Sequence, residues 1–109
     1  MAAPKQADRF TTITDLDKLI HEPARMSIMA VLYVLESADF TFLMNQTGLT
    51  WGNLSAHLTK LEKAEYVQVV KSFKGKRPNT NLKLTSTGRE AFRNYMEQMA
   101  QVVKDFETK

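Results

Sequence analysis

The sequence has no cysteine and only two histidines, His21 and His57, among its 109 residues. Without thiols there is no disulfide framework, no thiolate metal site and no cysteine nucleophile. The histidines lie far apart in the chain, and no carboxylates have a recognisable acid–base spacing, so no residue is proposed as a catalytic group. We therefore expect neither an enzyme nor a protein that needs a metal or cofactor.

Long apolar runs and phosphate-binding motifs are also missing. No run of about 18 apolar residues occurs without charges, so no transmembrane helix is expected. The N-terminus lacks the basic-then-apolar order of a secretory signal, which favours a soluble, cytoplasmic protein without a membrane partner. There is no P-loop, dinucleotide-binding glycine pattern or internal repeat. A chain of this length forms one domain, or one domain with an appended helix, and can bury a real core.

The positive charge is concentrated in the middle of the chain. Between Thr50 and Asn81 there are six basic and two acidic residues, a net charge of +4. Since the whole chain carries +3, the remainder carries −1. This asymmetry indicates a local contact with a polyanion.

The segment from Thr50 to Ala64 has the pattern of an amphipathic helix. Leu54, Leu58 and Leu61 are spaced to form one apolar stripe, and Thr50 is a good N-cap in front of it. At about 100° per residue, the opposite face is small, polar and basic. It consists of Gly52, Asn53, Ser55, Ala56, Thr59, Lys60 and Lys63. Such a face can contact base edges and phosphates, although a solvated helix face would have the same pattern.

The flanking segments complete a recognisable order. Phe40–Phe42 favours a short strand, Leu43–Thr47 a brief helix, and Gly48 its end, which gives a helix-turn-helix with the amphipathic helix. After Tyr66 the apolar period becomes two, which predicts a two-stranded hairpin with a long, basic tip at Lys74–Asn79.

Two helices are predicted before these elements. The spacing of Ile13, Leu16, Leu19 and Ile20 predicts a short helix. A second helix, from Pro23 to Ser37, is apolar on nearly all sides and is therefore central or shared between two chains. Residues 1–12 are predicted to form a flexible arm.

A long helix is predicted from Ser86 to Lys109, with Thr87 or Thr85 as its cap. Its apolar stripe is longer than a small domain can cover, which favours a homodimer, although the helix could also fold back on its own core. The expected dimer contacts are Leu16, Ile20, Phe92, Tyr95, Met96, Met99, Val103 and Phe106. The pattern leaves open whether the first helix takes part.

Together these elements resemble the small MarR/ArsR-like transcriptional regulators, which are compact winged helix-turn-helix DNA-binding domains. The resemblance rests on Leu-Ser-x-His-Leu-x-x-Leu-Glu-x-x-x-Tyr-Val from Leu54 to Val67, on the basic tip, and on Leu-Thr-x-x-Gly-Arg from Leu84 to Arg89. It implies an α+β, mostly α fold, with the winged helix-turn-helix over 13–85 and a C-terminal dimerisation helix over 86–109. Such domains usually have glycine where this chain has Glu65, and a left-handed residue there costs about 1 kcal/mol more when it is not glycine.

The resemblance implies a homodimer that binds double-stranded DNA sequence-specifically, with helix 50–64 in the major groove and the wing, 74–79, on the backbone or minor groove. The predicted DNA-binding residues are Thr50, Asn53, Ser55, Ala56, Thr59, Lys60, Lys63, Lys71, Lys74, Lys76 and Arg77. Because cysteine and histidine clusters are absent, metal sensing is not expected. The alternative function is a winged helix that binds another protein and has no direct role on DNA.

Several residues have two interpretations. Trp51 lies about 60° from the leucine stripe, which favours a boundary core position over base stacking. For His57 a packed, hydrogen-bonded ring is favoured over a pH switch, and for Arg25 a structural role over a phosphate contact. A small-molecule effector site is a further hypothesis, with ordinary core as the favoured alternative. Its candidate residues are Met26, Met29, Tyr33, Tyr95, Met96 and Met99.

Overall fold

The structure, a computed structural model, describes residues 13–107. It contains a three-stranded antiparallel sheet and four named helices. In chain order the elements are α1 (Pro23–Leu35), β1 (Ser37–Asp39), α2 (Phe40–Thr47), α3 (Trp51–Lys63), β2 (Val67–Lys74), β3 (Arg77–Leu84) and α4 (Ser86–Asp105). The α+β winged-helix fold predicted from the sequence is therefore confirmed. The arm predicted at 1–12 lies outside the described residues.

The predicted helix over Ile13–Ile20 is wrong. Only Ile13 and Thr14 are helical among the described residues of this segment, and turns and bends follow. The cause is Asp17, whose Oδ1 accepts hydrogen bonds from the backbone N–H groups of Leu19 (2.9 Å) and Ile20 (3.1 Å). This side chain closes a turn, a role typical of aspartate.

Helix α1 begins as predicted and ends two residues early. Glu22 is its N-cap and accepts a hydrogen bond from the Arg25 N–H at 2.8 Å, and Pro23 occupies the first turn. The helix stops because Glu36 has a positive φ of 68° and leads the chain into β1. Strand β1 therefore lies at Ser37–Asp39, and the strand predicted at Phe40–Phe42 is wrong.

Asp39 is the reason for that error. Its Oδ1 accepts a hydrogen bond from the Phe42 N–H at 2.7 Å, so Asp39 is the N-cap of α2 and the phenylalanines are helical. The end of α2 follows the prediction, since Gly48 has the left-handed φ of 71° that favours glycine after a helix.

Helix α3 confirms the predicted amphipathic helix to within one residue at each end. Thr50 is its N-cap, and Leu54, Leu58 and Leu61 are buried. At its C-terminus the Tyr66 N–H donates to the Leu61 carbonyl (3.0 Å) and the Glu65 N–H to the Glu62 carbonyl (2.9 Å). These two bonds form a Schellman motif in which Glu65, at φ 64°, occupies the position that glycine usually takes.

Replacing this residue should therefore stabilise the protein. We expect Glu65→Gly to raise the free energy of unfolding by about 1 kcal/mol, because glycine adopts positive φ without steric cost. Urea denaturation followed by circular dichroism measures the change. Glu62→Gly is the matched control: it removes the same charge from an exposed site but lies inside the helix, where glycine should cost about 1 kcal/mol. If the Glu65→Gly variant were no more stable than wild type, Glu65 would not be strained at its positive φ.

The sheet has the strand order β1-β3-β2, and the two long strands form the predicted hairpin. Their register runs from Val67 opposite Leu84 to Lys74 opposite Arg77. The loop is only two residues, Gly75 and Lys76, and Gly75 has a φ of 63°. The long tip predicted at 74–79 is therefore wrong: a tight turn suited to glycine at its first position lets the strands run further.

Helix α4 follows β3 in the chain, and its first residues contact the segment that joins α3 to β2. Thr85 is its N-cap, with Oγ1 accepting from the Gly88 N–H at 2.9 Å, so Thr85 and not Thr87 starts the helix. The same hydroxyl donates to the Glu65 carbonyl at 2.6 Å, and the Thr85 N–H donates to the Tyr66 carbonyl at 3.0 Å. The helix then continues for 20 residues.

Candidate nucleic-acid interface

The predicted polar face of α3 lies on the surface. With the leucine stripe buried in the core, the opposite side of the helix is turned away from the rest of the chain. The exposed residues on it are Gly52, Asn53, Ala56, Thr59, Lys60 and Lys63, while Ser55 is half-buried. The small side chains of this face, which precede its two lysines, allow another surface to approach the helix backbone closely.

Two hydroxyls on this helix are already used locally. Thr50 Oγ1 accepts from the Asn53 N–H at 3.2 Å, which makes it the cap. Thr59 Oγ1 donates to the Ser55 carbonyl, one turn back, at 3.0 Å. Each oxygen keeps further hydrogen-bonding capacity, because a hydroxyl can donate one bond and accept two.

A cleft of about 770 Å³ separates α3 from the hairpin. Ser55, Thr59 and Glu62 line it from the helix, and Lys71 and Thr80 line it from the strands. The polar face of the helix and the wing therefore border one continuous concave surface. Sequence reasoning did not identify the cleft, since it depends on the angle between a helix and a hairpin.

The basic residues of the wing are exposed. Lys71, Lys74, Lys76 and Arg77 are all on the surface, the last three around the turn. Lys74 Nζ lies 3.8 Å from Asp39 Oδ2, with 72% of the lysine side chain and 32% of the aspartate side chain exposed. A pair that exposed contributes little to stability, so Lys74 remains available to an anion.

Trp51 differs most from its predicted environment. Its side chain is 66% exposed, so the interpretation as boundary core is wrong. It is the first residue of α3 and lines the cleft, and its ring lies 5.7 Å from that of Phe40 at 47°.

His57 and Arg25 have the structural roles that were favoured. Arg25 Nη1 lies 3.2 Å from His57 Nδ1, and Arg25 Nε donates to the Leu19 carbonyl at 2.6 Å. The pair connects the outer flank of α3 to α1 and to the turn that precedes it.

The residues expected at a dimer interface divide into two groups. Leu16, Ile20, Phe92 and Tyr95 are buried in the core of the chain itself and leave no surface of their own. The outer part of α4 is exposed instead: Met96 to 39%, Val103 to 57% and Phe106 to 44%, with Met99 half-buried.

Two tyrosines close the core beneath α4. Tyr66 Oη donates to Asp17 Oδ2 at 2.6 Å, and Tyr95 Oη lies 2.6 Å from His21 Nδ1. Burial, together with the carboxylate of Asp17, raises the pKa of Tyr66 to about 12. Burial likewise raises the pKa of Tyr95, so both hydroxyls stay protonated at neutral pH.

Residues 13–107 contain no candidate metal site and no candidate membrane span. Between residues 13 and 107, no group of three or more His, Asp or Glu side chains could hold a metal ion. No helix in that range is long and apolar enough to cross a membrane.

A helix-turn-helix built from α2 and α3, backed by α1 and followed by a two-stranded wing, defines a winged helix-turn-helix protein. The chain belongs to the family of winged helix DNA-binding domains, whose pattern matches residues 24–103. The fold is MarR-like, and several solved proteins that share it are named as transcriptional regulators.

Three relatives illustrate the similarity. The uncharacterized protein MJ0432 of Methanocaldococcus jannaschii is 40% identical over 90 residues, which cover 83% of this chain and 98% of the relative. The transcriptional regulator homologue protein from Pyrococcus horikoshii OT3 has a TM-score of 0.84 at 25% identity, with 93% and 99% of the two chains covered. A MarR family transcriptional regulator from Silicibacter pomeroyi shares the fold at 19% identity and a TM-score of 0.64, with 92% and 64% covered.

Proposed function

We propose that this protein is a transcriptional regulator that binds double-stranded DNA sequence-specifically as a homodimer. Helix α3 enters the major groove, and the turn of the wing, from Lys74 to Arg77, contacts the backbone or the minor groove. One observation carries the proposal: Ser55 and Thr59 of the polar face of α3 line the same cleft as the basic Lys71 of the wing. A surface of this shape and charge can straddle one strand of a duplex.

The side chains divide by chemistry into two roles. Amide, hydroxyl, methyl and amino groups on α3 read base edges in the major groove, and lysines, arginine and the capping threonine contact phosphates. The groove contacts are Asn53, Ser55, Ala56, Thr59 and Lys60. The phosphate or minor-groove contacts are Thr50, Lys63, Lys71, Lys74, Lys76 and Arg77.

The homodimer forms through α4 in this proposal. Met96 and Val103 are seven residues apart, so they lie on one side of the helix, and both are exposed in the single chain. A second α4 packed on that side would cover them and place two α3 helices in successive major grooves, about 34 Å apart. A small-molecule effector stays a prediction.

The decisive experiment is selection of bound duplexes from a random DNA pool by the purified protein. The proposal expects enrichment of a two-fold symmetric site with half-sites about ten base pairs apart. Failure to bind any duplex at low salt would reject it and favour the alternative, a winged helix that docks onto another protein. Binding without enrichment of any sequence would reject specificity alone.

The contribution of the wing can be measured from salt dependence. We expect Lys76→Ala/Arg77→Ala to reduce the slope of log K against log salt by about 1.8, because each lost phosphate contact removes about 0.9. Fluorescence anisotropy of a labelled duplex over a salt series gives the slope. Arg93→Ala/Lys104→Ala removes the same charge from exposed positions of α4 and should leave the slope near that of wild type. Equal slopes for the wing variant and wild type would exclude the wing from the interface.

A further inference from the structure

Trp51 is an aromatic residue with most of its surface in solvent. It packs on one side against Phe40, at a centroid distance of 5.7 Å, and 66% of it remains exposed. Tryptophan has the largest apolar surface of any side chain, and exposed aromatic residues are enriched where proteins bind partners. The contact with Phe40 already restricts the ring on one side, which reduces the conformational freedom lost if something covered the other side.

The position of Trp51 indicates that a duplex bound to α3 and the wing would cover its ring. Trp51 is the first residue of α3, and side chains on a helix lean towards its N-terminus, so the indole lies at the N-terminal end of the helix proposed to enter the groove. It also lines the cleft, with Lys71 and Thr80 on the opposite wall. A duplex seated on both α3 and the wing would span that cleft and cover the exposed side of the ring.

We propose that Trp51 is a DNA-contacting residue whose indole packs against the apolar part of the duplex, either a deoxyribose or a thymine methyl group. The indole N–H is a donor and can bond a phosphate oxygen at the same place. This inference rests on the proposed function. It adds an uncharged, apolar contact to the polar and basic contacts proposed above.

Because the Trp51 contact carries no charge, its effect on DNA affinity can be distinguished from that of the basic residues by salt dependence. Substituting Trp51 by alanine should lower duplex affinity about tenfold, the loss expected when a large apolar side chain is no longer buried. The slope of log K against log salt should not change, because no counterion is released by an apolar contact. Trp51→Phe should retain most of the affinity. Val34→Ala is the control, since Val34 is 77% exposed on α1 and does not line the cleft.

Fluorescence provides a second measurement on the unmodified protein. Trp51 is the only tryptophan in the chain, so its emission reports this site alone. Adding the selected duplex should shift the emission to shorter wavelength and reduce quenching by acrylamide at least about twofold, because the covered ring is withdrawn from water. Anisotropy of the labelled duplex establishes binding independently.

The outcomes are distinguishable. If no duplex binds, the proposed function fails. If the duplex binds and either acrylamide quenching is unchanged or Trp51→Ala binds like wild type, the function stands and this inference is wrong. Duplexes with uracil in place of thymine resolve the two contacts: weaker binding by wild type but not by Trp51→Ala identifies the methyl group, and equal binding together with the tenfold loss identifies deoxyribose.

Discussion

Gly88→Ala is expected to destabilise the protein by about 3 kcal/mol, the upper part of the range for forcing an extra methyl group into a packed site. Gly88 is buried in the first turn of α4, directly against the backbone of Tyr66. A Cβ on this residue would lie 2.8 Å from the carbonyl carbon and 2.9 Å from the Cα of Tyr66, and closer still to its carbonyl oxygen. Backbone cannot move aside as a flexible side chain can, so α4 itself would have to shift.

Gly52→Ala is the matched control for this prediction. Gly52 is also in the first turn of a helix, α3, but a Cβ there meets nothing within 4 Å. Alanine should stabilise that position by up to about 1 kcal/mol, since it has the higher helix propensity. Urea unfolding curves of the three proteins measure both changes. If the two alanine variants had equal stability, the close approach of α4 to Tyr66 would be contradicted.

The largest effect on DNA binding is expected from the outer side of α4. Met96→Lys/Val103→Lys should give a monomer and weaken binding to the two-fold symmetric duplex about a hundredfold. Two lysines cannot be buried against a second copy without a large desolvation cost. Once the copies separate, each binds its half-site alone and loses the gain from linked binding, which is commonly a hundredfold or more.

Light scattering after size exclusion gives the oligomeric state, and anisotropy gives the affinity. The control is Gln98→Lys/Gln101→Lys, which adds the same two charges at exposed positions of α4 about 140–160° away from Met96. This control should remain dimeric and bind at least as tightly. A dimer that persists in the Met96/Val103 variant would move the interface elsewhere, and a monomeric wild type would reject the homodimer.

Local patterns were sufficient to predict most of the fold. Helix α3 has a clear leucine period and a threonine cap, and the change to period two at Val67 marks the hairpin. The predictions failed where the backbone conformation depends on a single side chain or on pairing with a distant strand. Asp17 closes a turn in place of a helix, and Asp39 caps α2 while pairing opposite Asn81 of β3.

The candidate site could be predicted in composition but not in shape. The exposed residues of α3 were identifiable because a helix with a leucine stripe has only one opposite face. The cleft, the tight turn at Gly75 and the exposed ring of Trp51 follow from how α3 and the hairpin pack. Sequence periodicity carries no information on that angle, so these features needed coordinates.

The junction at Thr85 has a mechanical consequence. Its hydroxyl and N–H donate to the carbonyls of Glu65 and Tyr66, just after α3, and Gly88 packs against the backbone of Tyr66, so the start of α4 is held at the C-terminal end of α3. With a 20-residue arm of about 30 Å, a tilt of only 5° corresponds to a displacement of roughly 2.6 Å between pivot and tip. In the proposed homodimer, a contact at the far end of α4 would therefore change the distance between the two α3 helices by an amount of that size.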